Sequence, residues 1–154
     1  MCKILMSINP IYADKILSGV KKYEYRKVKA KKDKVNKIVI YATYPIMKVV
    51  GEVEVKDILE ETPEKLWNVT KEYSGVTKQF YDNYFNKSSK AIAYKLGKIE
   101  KYDEPKKLED VGIKCVPQSF LYLDYWKKLK TSVKRYWIQR KNCSQFFYSN
   151  LMSP

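Results

Sequence analysis

The sequence predicts an α+β fold, on three observations. Short runs of β-branched and aromatic residues recur along the chain, some alternating with period two and some continuously apolar, as half-buried and buried strands do. Between them stand stretches of helical spacing, two of which are opened by Asn9-Pro10 and Thr62-Pro63. Near the end the composition changes: residues 127–154 hold seven basic side chains and no acidic one.

The elements follow in order. Residues 4–8 read as a short strand. Asn9 then offers an N-cap oxygen and Pro10 the first helical position, Tyr12, Ile16 and Leu17 mark the apolar face, and Gly19 supplies the stop. Residues 22–26 alternate with period two, which predicts a strand with Lys22, Glu24 and Arg26 on one face and Tyr23 and Tyr25 on the other. A lysine-rich connection covers 29–37. Residues 37–43 are the most apolar strand, and 47–58 form another, in which Gly51 marks a bulge or tight bend. Thr62-Pro63 opens a helix carrying Leu66 and Trp67, and Ser74-Gly75 breaks it. Thr77 starts a second helix with Phe80, Tyr81, Tyr84 and Phe85. The acidic approach to this helical pair (Glu60, Glu61, Glu64) is a poor nucleic-acid surface and suggests a side turned away from any anionic ligand. Strands over 91–99 and 119–123 complete the pattern. Trp126, Leu129, Val133, Tyr136 and Trp137 then fall at helical spacing, which predicts a basic amphipathic helix. The division is a domain over 1–124 and a basic extension over 125–154.

Composition limits the function. The chain of 154 residues suffices for one domain, and a domain of that size buries roughly 68–70% of its unfolded surface without needing staples. A formal net charge of +14 favours polyanionic partners: RNA, DNA or an anionic membrane surface. Arg26, Arg135 and Arg140 are the only arginines among 31 basic residues, so a lysine-rich composition by itself stands as an alternative source of the charge. Cys2, Cys115 and Cys143 are odd in number and form no C-x-x-C pair, which argues against a zinc ribbon or a disulfide framework and suits a reducing, cytoplasmic setting. No apolar run approaches the ~18 residues of a membrane span, so no integral membrane association is expected. With no histidine, Ser-His and Cys-His nucleophile pairs and His-ligated metals are excluded. No metal or cofactor is expected, and catalysis would fall to Lys, Glu, Asp, Tyr or Thr.

The segment from Ile16 to Arg26 contains Gly19, Lys21, Glu24 and Arg26 in the pattern G-x-K-x-x-E-x-R, which resembles the signature of ASCH domains. Three further pieces resemble a bacterial and archaeal subgroup in the same order: Ile40-Tyr41-Ala42-Thr43-Tyr44-Pro45, Val49-Val50-Gly51-Glu52 and Pro117-Gln118-Ser119-Phe120. The resemblance spans 1–124 and implies a PUA-like mixed β-barrel with covering helices and a cleft beside the first helix, a fold regarded as RNA-binding. It places Lys21, Glu24 and Arg26 at the centre of a nucleic-acid site, rimmed by Lys22, Thr43, Tyr44, Gln118 and Ser119. Arg26 offers a planar fork to a phosphate or base edge, and Glu24 can orient it or accept from a base amino group. Tyrosines beside lysines suit unpaired bases.

Alternatives stand beside each assignment. Glu24 and Arg26 also suit an ordinary i, i+2 ion pair; Thr43-Tyr44-Pro45 a turn; Gln118 and Ser119 a strand cap. Some small ASCH proteins are amidohydrolases acting on N4-acetylcytidine, and others are described as ribonucleases. The hydrolase pattern has a lysine, which matches Lys21, and a threonine nucleophile, whose position Glu24 occupies here. Its distal glutamate falls near Ser74, with Glu72 close by. An enzyme would therefore work through Lys21 and Glu24 as a metal-independent hydrolase on RNA or a modified nucleoside. The resemblance is silent on 125–154, which suits a helix packed on the domain, an extended RNA surface or an anionic lipid surface.

Overall fold

The computed structural model describes residues 2–31 and 35–123. The predicted amphipathic helix and the whole basic extension lie outside the described residues, as does part of the lysine-rich connection. The chain runs β1 (Cys2–Ile8), α1 (Pro10–Leu17), β2 (Tyr23–Arg26), β3 (Val35–Ala42), β4 (Lys48–Glu61), α2 (Pro63–Thr70), α3 (Lys78–Tyr84), β5 (Ala91–Lys106) and β6 (Phe120–Tyr122), with short 3-10 turns at Lys71–Tyr73 and Glu109–Val111.

One mixed sheet takes all six strands in the order β2-β5-β4-β3-β1-β6. β1 and β3 are parallel neighbours, and the other pairings are antiparallel. The sheet curls into a half-barrel whose edges are β2 and β6. The long β4 and β5 bend through register shifts at Val49/Gly51, Val53/Val55 and Val55/Asp57, as bulged strands do. Gly51 is obligatory there: a Cβ on it would stand 2.6 Å from the Glu100 carbonyl.

β3 reads as continuously apolar because it is covered on both faces. Ile38 and Ile40 point into the main core with Ile4, Met6, Ile16 and Tyr94. Val39 and Tyr41 point the other way, against Leu5, Val49 and Ile113. A third cluster joins α2 and α3 to the β2–β5 end through Tyr25, Leu66, Tyr81 and Phe85. The helix starts are those expected. The Asn9 side chain accepts the Ile11 N–H with Pro10 following, and Thr77 caps α3 by accepting the Phe80 N–H. Thr62 precedes Pro63 without a side-chain cap bond.

Among the described residues no helix is long and apolar enough to cross a membrane.

Candidate functional site

The half-barrel brings the C-terminal end of β1, the start of α1, β2 and the entry and body of α3 around one pocket of about 140 Å³. Ser7, Ile8 and Asn9 form one side, Tyr12 a second, Lys21, Glu24 and Arg26 the floor, and Phe80, Tyr81 and Tyr84 the far wall.

Local sequence explains the floor. Gly19 turns the chain at φ +79°, beyond α1. The Lys21 N–H then bonds the Lys15 carbonyl, which folds the segment back under the helix. The Lys22 N–H bonds the Tyr73 carbonyl, and β2 pairs with β5 from Tyr23 onward. Lys21 is thereby 2% exposed and Glu24 6%. Arg26 Nη2 stands 2.9 Å from Glu24 Oε1, and Lys21 Nζ 3.8 Å from Glu24 Oε2. Each cation is also held by neutral acceptors. Lys21 Nζ donates to the Ser74 carbonyl at 2.8 Å, while Arg26 donates to the Ser7 carbonyl at 2.9 Å and to Met6 Sδ at 3.2 Å. The ammonium lies 4.6 Å from the centre of the Tyr25 ring and 5.6 Å from that of Tyr12.

Burial sets the proton affinities. It pulls the Lys21 ammonium down to about 8; Glu24 opposes the shift, and Arg26 and Lys15 reinforce it. Burial raises the Tyr84 hydroxyl, partly offset by Arg26 beside it. Burial and then Glu24 raise Tyr12. The floor thus joins an amine that exchanges its proton near neutrality, a carboxylate saturated by two cations, and a guanidinium.

The other expected residues are distributed unevenly. Lys22 leaves the floor and stands 3.7 Å from the centre of the Tyr73 ring. Tyr25, expected on the far face and available for stacking, is buried beneath Lys21, its hydroxyl donating to Thr70 Oγ1 at 2.8 Å. Thr43 is tied to the wall, since its N–H bonds the Ile8 carbonyl. Tyr44, 81% exposed, projects from that loop without lining the pocket. Gln118 and Ser119 flank it as well: the Ser7 N–H bonds the Ser119 carbonyl, and Ser7 Oγ donates to the neighbouring Pro117 carbonyl.

One expectation is overturned. The α2–α3 pair does not turn away from the cleft, because α3 supplies its aromatic wall. The acidic approach misled: Glu60 pairs with Lys29 and Lys90 and lines no part of the pocket. Phe80, Tyr84, Tyr12 and Ser7 are the site residues that sequence reasoning missed. A signal existed in two interleaved i, i+4 pairs on α3. Tyr81 and Phe85 face the core, which leaves Phe80 off it and Tyr84 at its margin. Gly75 is another. Its φ is +67°, and a Cβ on it would lie 2.6 Å from Lys21 Cβ.

A model of the ASCH domain matches residues 6–103. The ASCH protein of Zymomonas mobilis superposes with a TM-score of 0.73 at 25% identity, over 84% of this chain and 96% of that one. A single-residue variant of it gives 0.72 at 24% identity, over 84% and 99%. Among curated proteins, the chain is 31% identical over 121 residues to ATP synthase subunit alpha of Ureaplasma parvum serovar 3, covering 78% of this chain and 15% of that protein. It is 32% identical over 91 residues to large ribosomal subunit protein uL22 of the same organism, covering 59% of this chain and 29% of that protein. The chain thus spans less than a third of either curated relative.

Proposed function

The chain belongs to the ASCH domain family, with its PUA-like fold, and on that premise we propose that it binds single-stranded RNA or a nucleotide in the pocket floored by Lys21, Glu24 and Arg26. The observation that carries this reading is the buried Lys21–Glu24–Arg26 cluster at the base of an aromatic-walled pocket. Glu24 engages both cations, so its role is to orient them. Arg26 and Lys21 then meet the acceptor oxygens of a base or phosphate. Tyr12 and Tyr84 supply the flat apolar surfaces between which an unpaired base fits. An engineered cavity of about 150 Å³ holds one benzene ring, so a pocket of about 140 Å³ suits a single six-membered ring better than a fused pair. Thr43, Tyr44, Gln118 and Ser119 form the rim beside β1, and Lys22 contributes charge outside it. Residues 1–124 are assigned the recognition, and 125–154 a salt-sensitive electrostatic share.

The test is retention of labelled single-stranded RNA at ~150 mM salt. Arg26→Ala is expected to weaken binding far more than loss of a remote lysine such as Lys56. With about five phosphates neutralised, log K should fall against log salt with a slope near −3.5. Equal effects of the two substitutions would leave only general charge as the cause.

A second reading has its own support. An amine lowered to about 8 beside a carboxylate can move a proton near neutral pH, which suits a ribonuclease or an N4-acetylcytidine-type amidohydrolase using Lys21 and Glu24. Gel analysis of the bound RNA, and assay of acetate release from N4-acetylcytidine, separate the two. Turnover abolished by Glu24→Gln would make the protein an enzyme, and intact substrates would leave it a reader.

A further inference from the structure

Among the aromatic residues that line the pocket, Phe80 is the exposed one. It lines the wall yet is 42% exposed, while Tyr81 beside it is buried and bonds the Pro63 carbonyl. The Phe80 ring is fixed by its neighbours. Its centroid lies 5.2 Å from that of Tyr12 and 6.4 Å from that of Tyr84, with the latter two planes within 8° of parallel. The three rings make a ledge running from the pocket out to solvent. Cations stand at both ends: Lys15 Nζ lies 5.8 Å from the Tyr12 centroid, and Lys27 Nζ 5.3 Å from the Tyr84 centroid. The carboxylate closest along α3, Asp82, is occupied by Lys78.

We infer that Phe80 seats the base flanking the one in the pocket, so that the ligand is a single strand of at least two nucleotides. The inference rests on the reading of the cleft as a nucleotide site and extends it from one nucleotide to a strand. A pocket of about 140 Å³ has room for one ring system, so a second base must lie outside it, and the ledge is the apolar surface that continues from the mouth. A ring already held by two aromatic neighbours loses little freedom when a base stacks on it. Stacking of this kind accepts any base, so the second position carries little sequence preference. Lys15 and Lys27 lie where the linking phosphates would run, and charge complementarity favours a polyanionic strand over an apolar peptide.

The test compares affinities of the full chain for the mononucleotides CMP and UMP with those for the dinucleotides CpA and UpA, by calorimetry, in wild type, Phe80→Leu and Phe80→Tyr. The expected result is dinucleotide binding about tenfold tighter than mononucleotide binding, within the range of one base–aromatic stack. That ratio should collapse in Phe80→Leu, which keeps an apolar side chain against Tyr12, and persist in Phe80→Tyr, which keeps the ring. Mononucleotide binding with no dinucleotide gain in the wild type, or a gain that Phe80→Leu leaves whole, would overturn the ledge while sparing the pocket. Absence of all binding would overturn the pocket reading, and the ledge with it.

Discussion

Glu24 and Glu52 each hold two cations beside tyrosines, and they differ in nearly everything else. Glu24 sits at the base of the pocket between Lys21 and Arg26, both largely out of water. Glu52 sits on the other side of the sheet, where it accepts from Lys3 at 2.9 Å, Lys37 at 3.1 Å and the Tyr102 hydroxyl at 2.8 Å. Burial pushes Glu52 up, but those three donors outweigh it and hold the carboxyl below its ordinary range. Bonding to Glu52 in turn raises Lys37, an exposed lysine. At the inner site burial dominates and lowers the lysine. The lesson is that the ion set does not make a site. The same ions on a solvated strand form a network screened by water, whereas inside a pocket they become desolvated groups able to meet a ligand.

The widest gap between the regions should appear on removing each carboxylate. Glu24→Gln leaves two buried cations without their counter-charge and should cost about 3 kcal/mol of stability in urea unfolding. Glu52→Gln, whose cations reach water, should cost a small fraction of that. Equal losses would erase the distinction. Gly75→Ala probes the floor without touching a charge. It places a side chain at φ +67° and against Lys21, so it should destabilise by about 1–3 kcal/mol and weaken RNA binding through displacement of Lys21. Unfolding and binding measured on the same sample check both.

Acidity gives a finer test. Lys21 binds its proton less tightly folded than unfolded, falling from 10.5 to about 8. Below about 8 it is charged in both states and the burial penalty is fully present; between about 8 and 10.5 the unfolded chain binds more protons, so stability rises with pH. Wild type should therefore gain stability over that window relative to Lys21→Met, a comparison in which the tyrosine titrations cancel. A flat difference would mean that Lys21 is not desolvated. The smallest effect is expected for Tyr25→Phe, which removes the buried bond to Thr70 Oγ1 but keeps the ring under Lys21. Thr70 still donates to the Leu66 carbonyl, and a loss of about 1 kcal/mol is expected.

Much of the fold was legible because its signals are local. Asn9-Pro10, Gly19, Thr77 and the apolar run of β3 each act over a few residues, and each element appears where its signal stands. Gly51 reads as a bulge or tight bend, though the reason, contact with the β5 backbone, is tertiary. The site was half legible. The alternation of β2 placed Glu24 and Arg26 on one face, but it also grouped Lys22 with them, and Lys22 precedes the strand and turns to Tyr73.

The sequence by itself determined the element order, the domain's family resemblance and the charged trio, because propensity, capping and a spaced motif are written in neighbouring residues. Only the tertiary structure decided that α3 walls the cleft, that Ser74 and Gly75 hold Lys21 in place, and that the cations of Glu24 are buried while those of Glu52 reach water. Those outcomes depend on which surfaces meet across many residues of chain, and on the water that their meeting excludes; neither is a property of any local stretch.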